Sequence, residues 1–199
     1  MNIEELKKKL ELGESSRGAD LHGLDLRRMN LQGADLREVN LLRANLYRAN
    51  LERANLEGTN FQGTDLFGAN LSGAIAEGAN FQRADLQLAR LSFSNLRGAN
   101  FRRANLYRAN LSGAIAEGAN FQRANFQGAD LFGANLQGAN FQGADLFGAN
   151  LQGANLWRAD LEGADFREAN LQGAKFRGTL MDDSLKKKLT RSQRRDNEY

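Results

Sequence analysis

Few side chains in this 199-residue chain have the chemistry that catalysis requires. It contains one histidine, His22, which we interpret as a surface residue, and it contains no cysteine. The scattered serines therefore lack a catalytic partner, and disulfides, thiol nucleophiles and cysteine–histidine metal clusters are excluded. Carboxylates are frequent, but nearly all occupy fixed positions of a repeat, as is expected of columns of solvent-exposed side chains. We predict no enzyme, no metal site and no cofactor.

Arginines form the first candidate binding feature. Seven arginines but only two acidic residues lie between Arg83 and Arg123. The candidate anion-binding column consists of Arg43, Arg83, Arg102, Arg103 and Arg123. Most of its members recur at multiples of twenty residues, and guanidinium groups bind phosphates and carboxylates through paired hydrogen bonds. The competing interpretation is a solvated face in which Asn and Gln space the charges.

Aromatic residues at outward positions form the second candidate feature. The candidate partner-binding strip consists of Tyr47, Phe67, Tyr107, Phe147 and Trp157. Phe93 and Phe132 are outward as well. Aromatic rings beside arginines are enriched at protein interfaces, so this strip predicts a protein partner.

A five-residue repeat positions these side chains, and it runs without interruption from Ala19 to Gly178. Each unit reads Ala, then Asn or Asp, then Leu or Phe, then two variable residues. Of the 32 units, 30 have Leu or Phe at the centre, 26 have Ala two positions earlier and 28 have Asn or Asp between them. A period of five matches neither a helix nor a strand. We therefore predict that each unit is one side of a stacked coil, with the central residue and the Ala pointing inward.

The phenylalanine centres indicate how many units form one coil. Five of them are spaced by twenty residues, namely Phe61, Phe81, Phe101, Phe121 and Phe141. A coil of four units would stack these rings in one column. Glycine ends 19 of the 32 units, where it can form a corner with positive φ. The absence of proline fits a coil whose backbone N–H groups donate to neighbouring coils.

Two units depart from the pattern at their centres. Ala76 and Ala116 stand where Leu or Phe is usual, and Ile75 and Ile115 precede them in place of Asn or Asp. Replacing a core Leu with Ala costs about 2–5 kcal/mol when the cavity stays open. We therefore predict a local change of backbone that turns each Ile at least partly inward.

The A(D/N)LXX units resemble those of the pentapeptide-repeat protein family. The resemblance implies an all-β solenoid, a right-handed quadrilateral β-helix in which 32 units would form eight coils. The family's best-known members with an assigned activity protect bacterial DNA gyrase by imitating DNA with a strongly acidic surface, and larger ones add loops. This repeat carries 17 basic and 16 acidic residues and no interrupting loop. Because DNA mimicry needs a negative potential along the rod, we do not favour that activity here.

The segments on either side of residues 19–178 are predicted to cover the ends of the solenoid. Residues 1–18 include a short amphipathic helix over residues 2–12, whose apolar face would lie on the first coil. Residues 179–199 are predicted to form a lid and then, from residue 190, a disordered basic tail. The apolar residues of the lid are Leu180, Leu185 and Leu189.

These observations predict a non-enzymatic rigid scaffold or protein-interaction module with a protein partner. The alternative is a nucleic-acid-associated protein or a modulator of a DNA-handling enzyme, whose binding would weaken steeply with salt. We expect any nucleic-acid binding to be weak and non-specific. No run of 18 apolar residues occurs and the N-terminus lacks an apolar signal region, so we predict a cytoplasmic protein without a membrane partner.

Overall fold

The computed structural model describes residues 1–189. Two helices, α1 (Ile3–Glu11) and α2 (Asp183–Lys188), flank a long stack of parallel β-bridges. The bridges run from residue 20 to residue 180 and join residues that are twenty positions apart. Since twenty residues are four repeat units, the chain completes one coil in every four units. The predicted disordered tail from residue 190 lies outside the described residues.

Three backbone hydrogen bonds join each interior unit to the following coil. In the unit centred on Leu51, the Leu51 N–H donates to Asn70 O at 2.7 Å. The Arg53 N–H donates to Ser72 O at 3.0 Å, and the Asn70 N–H donates back to Ala49 O at 2.9 Å. Proline would remove one of these donors, which explains its absence from the repeat.

The fifth residue of every unit forms a corner of the coil. Its φ lies between 52° and 70° in all units, which confirms the conformation predicted for the glycines. Thirteen corners carry a residue other than glycine, and nine of these are arginine. A left-handed conformation costs an L-residue about 1–2 kcal/mol. The hydrogen bonds between coils must therefore hold these corners in place.

The core is formed by the central Leu or Phe of each unit and by the Ala two positions earlier. The predicted phenylalanine column is confirmed. Ring centroids lie 4.7 Å apart for Phe61 and Phe81, and 4.6 Å apart for Phe81 and Phe101. The next two steps, through Phe121 to Phe141, are 5.1 and 4.8 Å. The four interplanar angles range from 4° to 28°, so each ring stacks on the ring one coil away.

The predicted change of backbone at Ile75 and Ile115 is wrong. Both residues keep the standard bridges to the coils on either side, and the Ile75 side chain is 44% exposed. Ala76 and Ala116 remain fully buried beside them. Turning an Ile inward would break the hydrogen bonds between coils and leave backbone groups unpaired. The regular ladder therefore decides the backbone, and the side chain at this position stays outside.

Helix α1 packs against the beginning of the solenoid. A capping box begins the helix, because Asn2 Oδ1 accepts from the Glu5 N–H at 2.9 Å and the Glu5 carboxylate accepts from the Asn2 N–H at 3.0 Å. Leu6 is completely buried in the same core as the repeat leucines. The amino group of Met1 donates to Asp20 O at 3.1 Å, which ties the start of the chain to the repeat.

Helix α2 packs near the other end. Leu185 and Leu189 are buried against the core, as predicted, but Leu180 is 57% exposed and does not belong to the lid. Leu180 occupies the bridged position of the repeat, where side chains point outward. Met181 is buried in its place. The Lys188 ammonium donates to Phe166 O at 2.9 Å.

Candidate functional site

The Asn or Asp of each unit holds the outward side chains on a fixed lattice. Its side-chain oxygen accepts from the backbone N–H two residues later, as Asn100 Oδ1 does from Arg102 at 3.1 Å. Where the residue is Asn, its side-chain amide also reaches the neighbouring coil, since Asn100 Nδ2 donates to Asn80 Oδ1 at 3.2 Å. The sequence showed only that this position is polar and outward. The structure adds that it orders the backbone on which the variable residues stand.

Three arginines of the candidate anion-binding column occupy one corner of three consecutive coils. Arg83, Arg103 and Arg123 are all exposed and have φ values of 58°, 59° and 56°. Neighbouring coils are about 4.8 Å apart, so these side chains form a continuous vertical set. Within residues 1–189, none of the three forms an ion pair with a carboxylate.

The other two arginines of the column are placed differently. Arg43 lies on the same corner but is separated from Arg83 by a coil with Gly63 at that position. Arg102 precedes the corner residue Arg103 and stands on the flat side of the rod, where it is exposed. The structure thus brings Arg102 to the three-coil set and leaves Arg43 apart from it.

A shallow groove of about 540 Å³ lies beside this set. It is lined by Arg102, Gln122, Arg123, Gln142, Gly143, Glu162 and Gly163. Gln122 Nε2 donates to Gln142 Oε1 at 2.9 Å. Gln142 Nε2 in turn donates to an Asp160 carboxylate oxygen at 2.7 Å. The groove therefore presents guanidinium groups at one side and a carboxylate at the other.

Four residues of the candidate partner-binding strip share one side of the rod, because multiples of twenty residues separate them. They are Tyr47, Phe67, Tyr107 and Phe147, and all four are half-buried. The Tyr47 and Phe67 rings stack, with centroids 5.6 Å apart and planes 13° apart. Glutamines interrupt the set between Phe67 and Tyr107 and again before Phe147. The strip is continuous only at its first two rings.

Trp157 does not lie with the rest of the strip. It follows Phe147 by ten residues, or two units, and therefore stands on the opposite side of a four-unit coil. Its ring lies between two guanidinium groups, with the carbon of Arg158 at 5.7 Å and that of Arg177 at 5.2 Å from the ring centroid. These contacts are typical of a cation–π pair.

Three exposed large apolar side chains of the repeat lie outside the strip. Phe93 is 75% exposed, Phe132 is 51% exposed and Leu88 is 46% exposed. The Phe93 ring covers Gly113 in the next coil so closely that a Cβ there would lie 2.6 Å from two ring carbons. Sequence reasoning recognised the two phenylalanines as outward and missed Leu88. The available signal was an apolar residue at the corner position, where Gly or Arg is usual.

Several carboxylates elsewhere on the rod are held in their charged form by hydrogen bonds. Asp35 accepts from the Arg37 guanidinium at 2.8 Å and from the Ser15 hydroxyl at 2.5 Å, and these bonds hold its pKa well below the ordinary value. The Arg97 guanidinium, 2.9 Å from the Glu117 carboxylate, lowers the pKa of Glu117 in the same way. These arginines are occupied by partners within the chain.

The part of the chain that the structure describes contains no group of three or more His, Cys, Asp or Glu side chains able to hold a metal ion. The family model for pentapeptide repeats matches residues 17–53, 44–83, 64–103, 84–123, 104–143 and 144–183. The chain belongs to the pentapeptide-repeat family. Proteins of this family form right-handed quadrilateral β-helices, and they are generally non-catalytic structural or interaction proteins. The coil of four units agrees with that architecture.

Solved structures of other pentapeptide-repeat proteins are similar to this chain. QnrB1, a plasmid-mediated fluoroquinolone resistance protein, is 22% identical, with 87% of this chain and 96% of QnrB1 covered and a TM-score of 0.45. Rfr23 from the cyanobacterium Cyanothece 51142 is 25% identical, and the match covers 91% of this chain and 100% of Rfr23 with a TM-score of 0.20. A pentapeptide-repeat protein from Nostoc Pcc 7120 is 32% identical, and the match covers 52% of this chain and 84% of the Nostoc protein with a TM-score of 0.25.

A search of proteins with curated functions finds no match. Among residues 1–189, neither helix is long and apolar enough to cross a membrane.

Proposed function

We propose that this protein is a non-enzymatic, rigid scaffold that binds a partner protein through the outer faces of the rod. The observation that carries the proposal is the regular lattice, in which bridges twenty residues apart continue from residue 20 to residue 180. The side chains on this lattice are held in place before any partner arrives, so binding orders little of the backbone. The cytoplasm remains our prediction for its location.

The stacked rings of Tyr47 and Phe67 are the proposed anchor for such a partner. Aromatic residues that are partly buried and fixed lose little entropy on binding, and they dominate the energetics of many interfaces. The Arg48 guanidinium lies 5.2 Å from the Tyr47 centroid, which adds a cation–π contact beside the rings.

Affinity capture with the full chain as bait tests this proposal. We expect a specific protein from the source organism to be retained at about 0.5 M salt, where exposed charge pairs are screened. The double variant Tyr47→Ala, Phe67→Ala should lose it. The matched control Gln87→Ala, Gln127→Ala changes polar residues in the same column and should retain it. Loss of the partner from both variants, or no retained protein with the wild type, would reject the proposal.

We also propose that the solenoid has eight coils and that the segments around it act as covers, with residues 1–18 at the first coil and residues 179–189 at the last. The burial of Leu6 in α1 supports this role. Deleting residues 1–12 should expose an unpaired edge backed by leucines and promote aggregation or end-to-end association. Deleting residues 190–199 should leave the melting temperature unchanged. A soluble, equally stable protein without residues 1–12 would contradict the role of the helix.

The arginine column supports a second candidate function, the binding of nucleic acid or of a DNA-handling enzyme. The repeat carries 17 basic and 16 acidic residues, so its net charge is close to zero. We therefore expect no inhibition of gyrase supercoiling and no protection of gyrase from quinolones. DNA binding should be non-specific and lost by about 0.2 M salt. Tight gyrase inhibition by the wild-type protein would restore DNA mimicry.

A further inference from the structure

We propose that Arg83, Arg103 and Arg123, together with Arg102, bind a short acidic segment of a partner protein. We refer to these four residues as the arginine corner. The proposal rests on the scaffold function proposed above and specifies the chemistry of one partner.

The guanidinium groups of the arginine corner are available for a partner. None of them forms an ion pair within residues 1–189. On the neighbouring corner, in contrast, the Arg48 guanidinium lies 5.2 Å from the Tyr47 centroid and that of Arg108 lies 5.1 Å from the Tyr107 centroid. Charge that the protein does not neutralise itself is most effectively neutralised by carboxylates or phosphates from outside.

The backbone beneath the arginine corner is fixed. The Arg83 N–H donates to Arg102 O at 3.1 Å, and the Arg123 N–H donates to Gln142 O at 3.0 Å. The Arg123 side chain leans over the next coil, with its Cγ 3.6 Å from where a Cβ on Gly143 would stand. The arginine side chains are therefore attached to a fixed backbone along the rod, which lowers the entropic cost of binding.

The groove beside Arg102 and Arg123 leaves room for the backbone of a peptide. Two of the residues that line it, Gly143 and Gly163, present no side chains. Gln122 stands in its wall and can form hydrogen bonds with peptide groups. The combination of guanidinium groups with a groove lined by amide side chains and glycines fits an acidic peptide segment.

The length of the arginine corner favours a peptide over nucleic acid. Two coil steps of about 4.8 Å separate Arg83 from Arg123, so the basic set is about 10 Å long. Beyond it stand the carboxylates of Asp160 and Glu162. A DNA duplex along the rod would carry one phosphate charge for about every 1.7 Å of its axis, and its phosphates would meet these carboxylates. An extended acidic segment, with side chains of one face about 6.7 Å apart, can place its carboxylates on the arginine corner and leave only uncharged residues beside Glu162, which lines the same groove.

Binding of a fluorescent hexaglutamate peptide, followed by anisotropy at low salt, tests the proposal. The test variant is Arg83→Gly, Arg103→Gly, Arg123→Gly. The control variant is Arg53→Gly, Arg108→Gly, Arg158→Gly, which removes three charges from the same unit position on the other three corners of the coil and leaves the Tyr47 and Phe67 anchor intact. Glycine is the commonest residue at corners and accepts positive φ, so both variants should fold, as circular dichroism would verify.

We expect the test variant to bind hexaglutamate at least about tenfold more weakly than the wild type, and the control variant to lose less than about threefold. Equal losses would show non-specific attraction and overturn the proposal, as would no binding by the wild type. Tighter binding of an oligothymidylate of equal charge would overturn it in favour of nucleic acid.

Affinity capture at low salt separates this proposal from the scaffold function. If the arginine corner has a protein partner, the wild type and the control variant should retain it and the test variant should not. If the wild type, the control variant and the test variant retain the partner equally, only the proposal for the arginine corner is overturned. Failure of the wild type to retain any protein would instead reject the scaffold function, whatever the peptide assay shows.

Discussion

The phenylalanine column offers a direct measurement of what ring stacking adds to this fold. Phe101 stacks on two rings, with centroids 4.6 Å from Phe81 and 5.1 Å from Phe121. Phe61, at the end of the column, stacks only on Phe81 at 4.7 Å. Phe176 is equally buried, and no ring stacks on it among residues 1–189. Substitution of each by Leu therefore removes two, one or no stacked pairs.

Each stacked pair contributes about 0.5–1.5 kcal/mol beyond the burial of its area. The Phe101→Leu variant should therefore lose about 1–3 kcal/mol more of the free energy of unfolding than Phe176→Leu, and Phe61→Leu about half that excess. Burial terms are similar in all three and cancel in the comparison. The backbone accepts Leu in this column, because Leu41 and Leu161 already occupy it.

Thermal and denaturant unfolding followed by circular dichroism measure these differences. For a chain of this size, 1 kcal/mol corresponds to a change of about 2–4 °C in melting temperature. The three variants should fall in the order of their stacked neighbours. If Phe101→Leu and Phe176→Leu lose the same stability, ring stacking adds nothing to burial in this core, and the reasoning is wrong.

Two further predictions concern the corners and the ion pairs. Gly113→Ala and Gly133→Ala both incur the strain of positive φ, about 1–2 kcal/mol, but only Gly113→Ala also displaces the ring of Phe93. Gly113→Ala should therefore melt at a lower temperature, and adding Phe93→Gly should remove the difference; equal melting temperatures of the two single variants would contradict this. Because hydrogen bonds from Arg37 lower the pKa of Asp35, their stabilisation is present above the unfolded pKa of about 3.9 and is lost as pH falls below it. Asp35→Asn should thus be less stable than the wild type by about 0.2–1 kcal/mol in urea unfolding at neutral pH, with a difference that shrinks in acid; a difference independent of pH would exclude the charge as its cause.

The sequence predicted the regular parts of this fold because each unit repeats the same local physics. A Leu or Phe every five residues defines the inner surface, and an unbroken frame excludes interrupting loops. The spacing of phenylalanines such as Phe61 and Phe81 indicated four units per coil, and the stacked rings confirm it. The capping box of Asn2 and Glu5 was predictable for a similar reason, since its hydrogen bonds are local.

The errors arose where one coil constrains the next. Ile75 stays outward because the ladder between coils is stronger than the tendency to fill a small cavity. Leu180 is exposed because its backbone still pairs with the coil below, so its apolar character does not decide its direction. Trp157 is a different case, because the twenty-residue period of the sequence already places it on the opposite side of the coil from Phe147.

For the candidate site, the sequence by itself determined which residues point outward and which share a column, because both follow from the five- and twenty-residue periods. Only the tertiary structure decided which outward groups remain available. Arg97 is held by Glu117 from the next coil, and Arg108 covers the ring of Tyr107, whereas Arg103 has no carboxylate partner within residues 1–189. The physical reason is that such contacts depend on how long side chains lean between coils about 4.8 Å apart, which the repeat pattern does not encode.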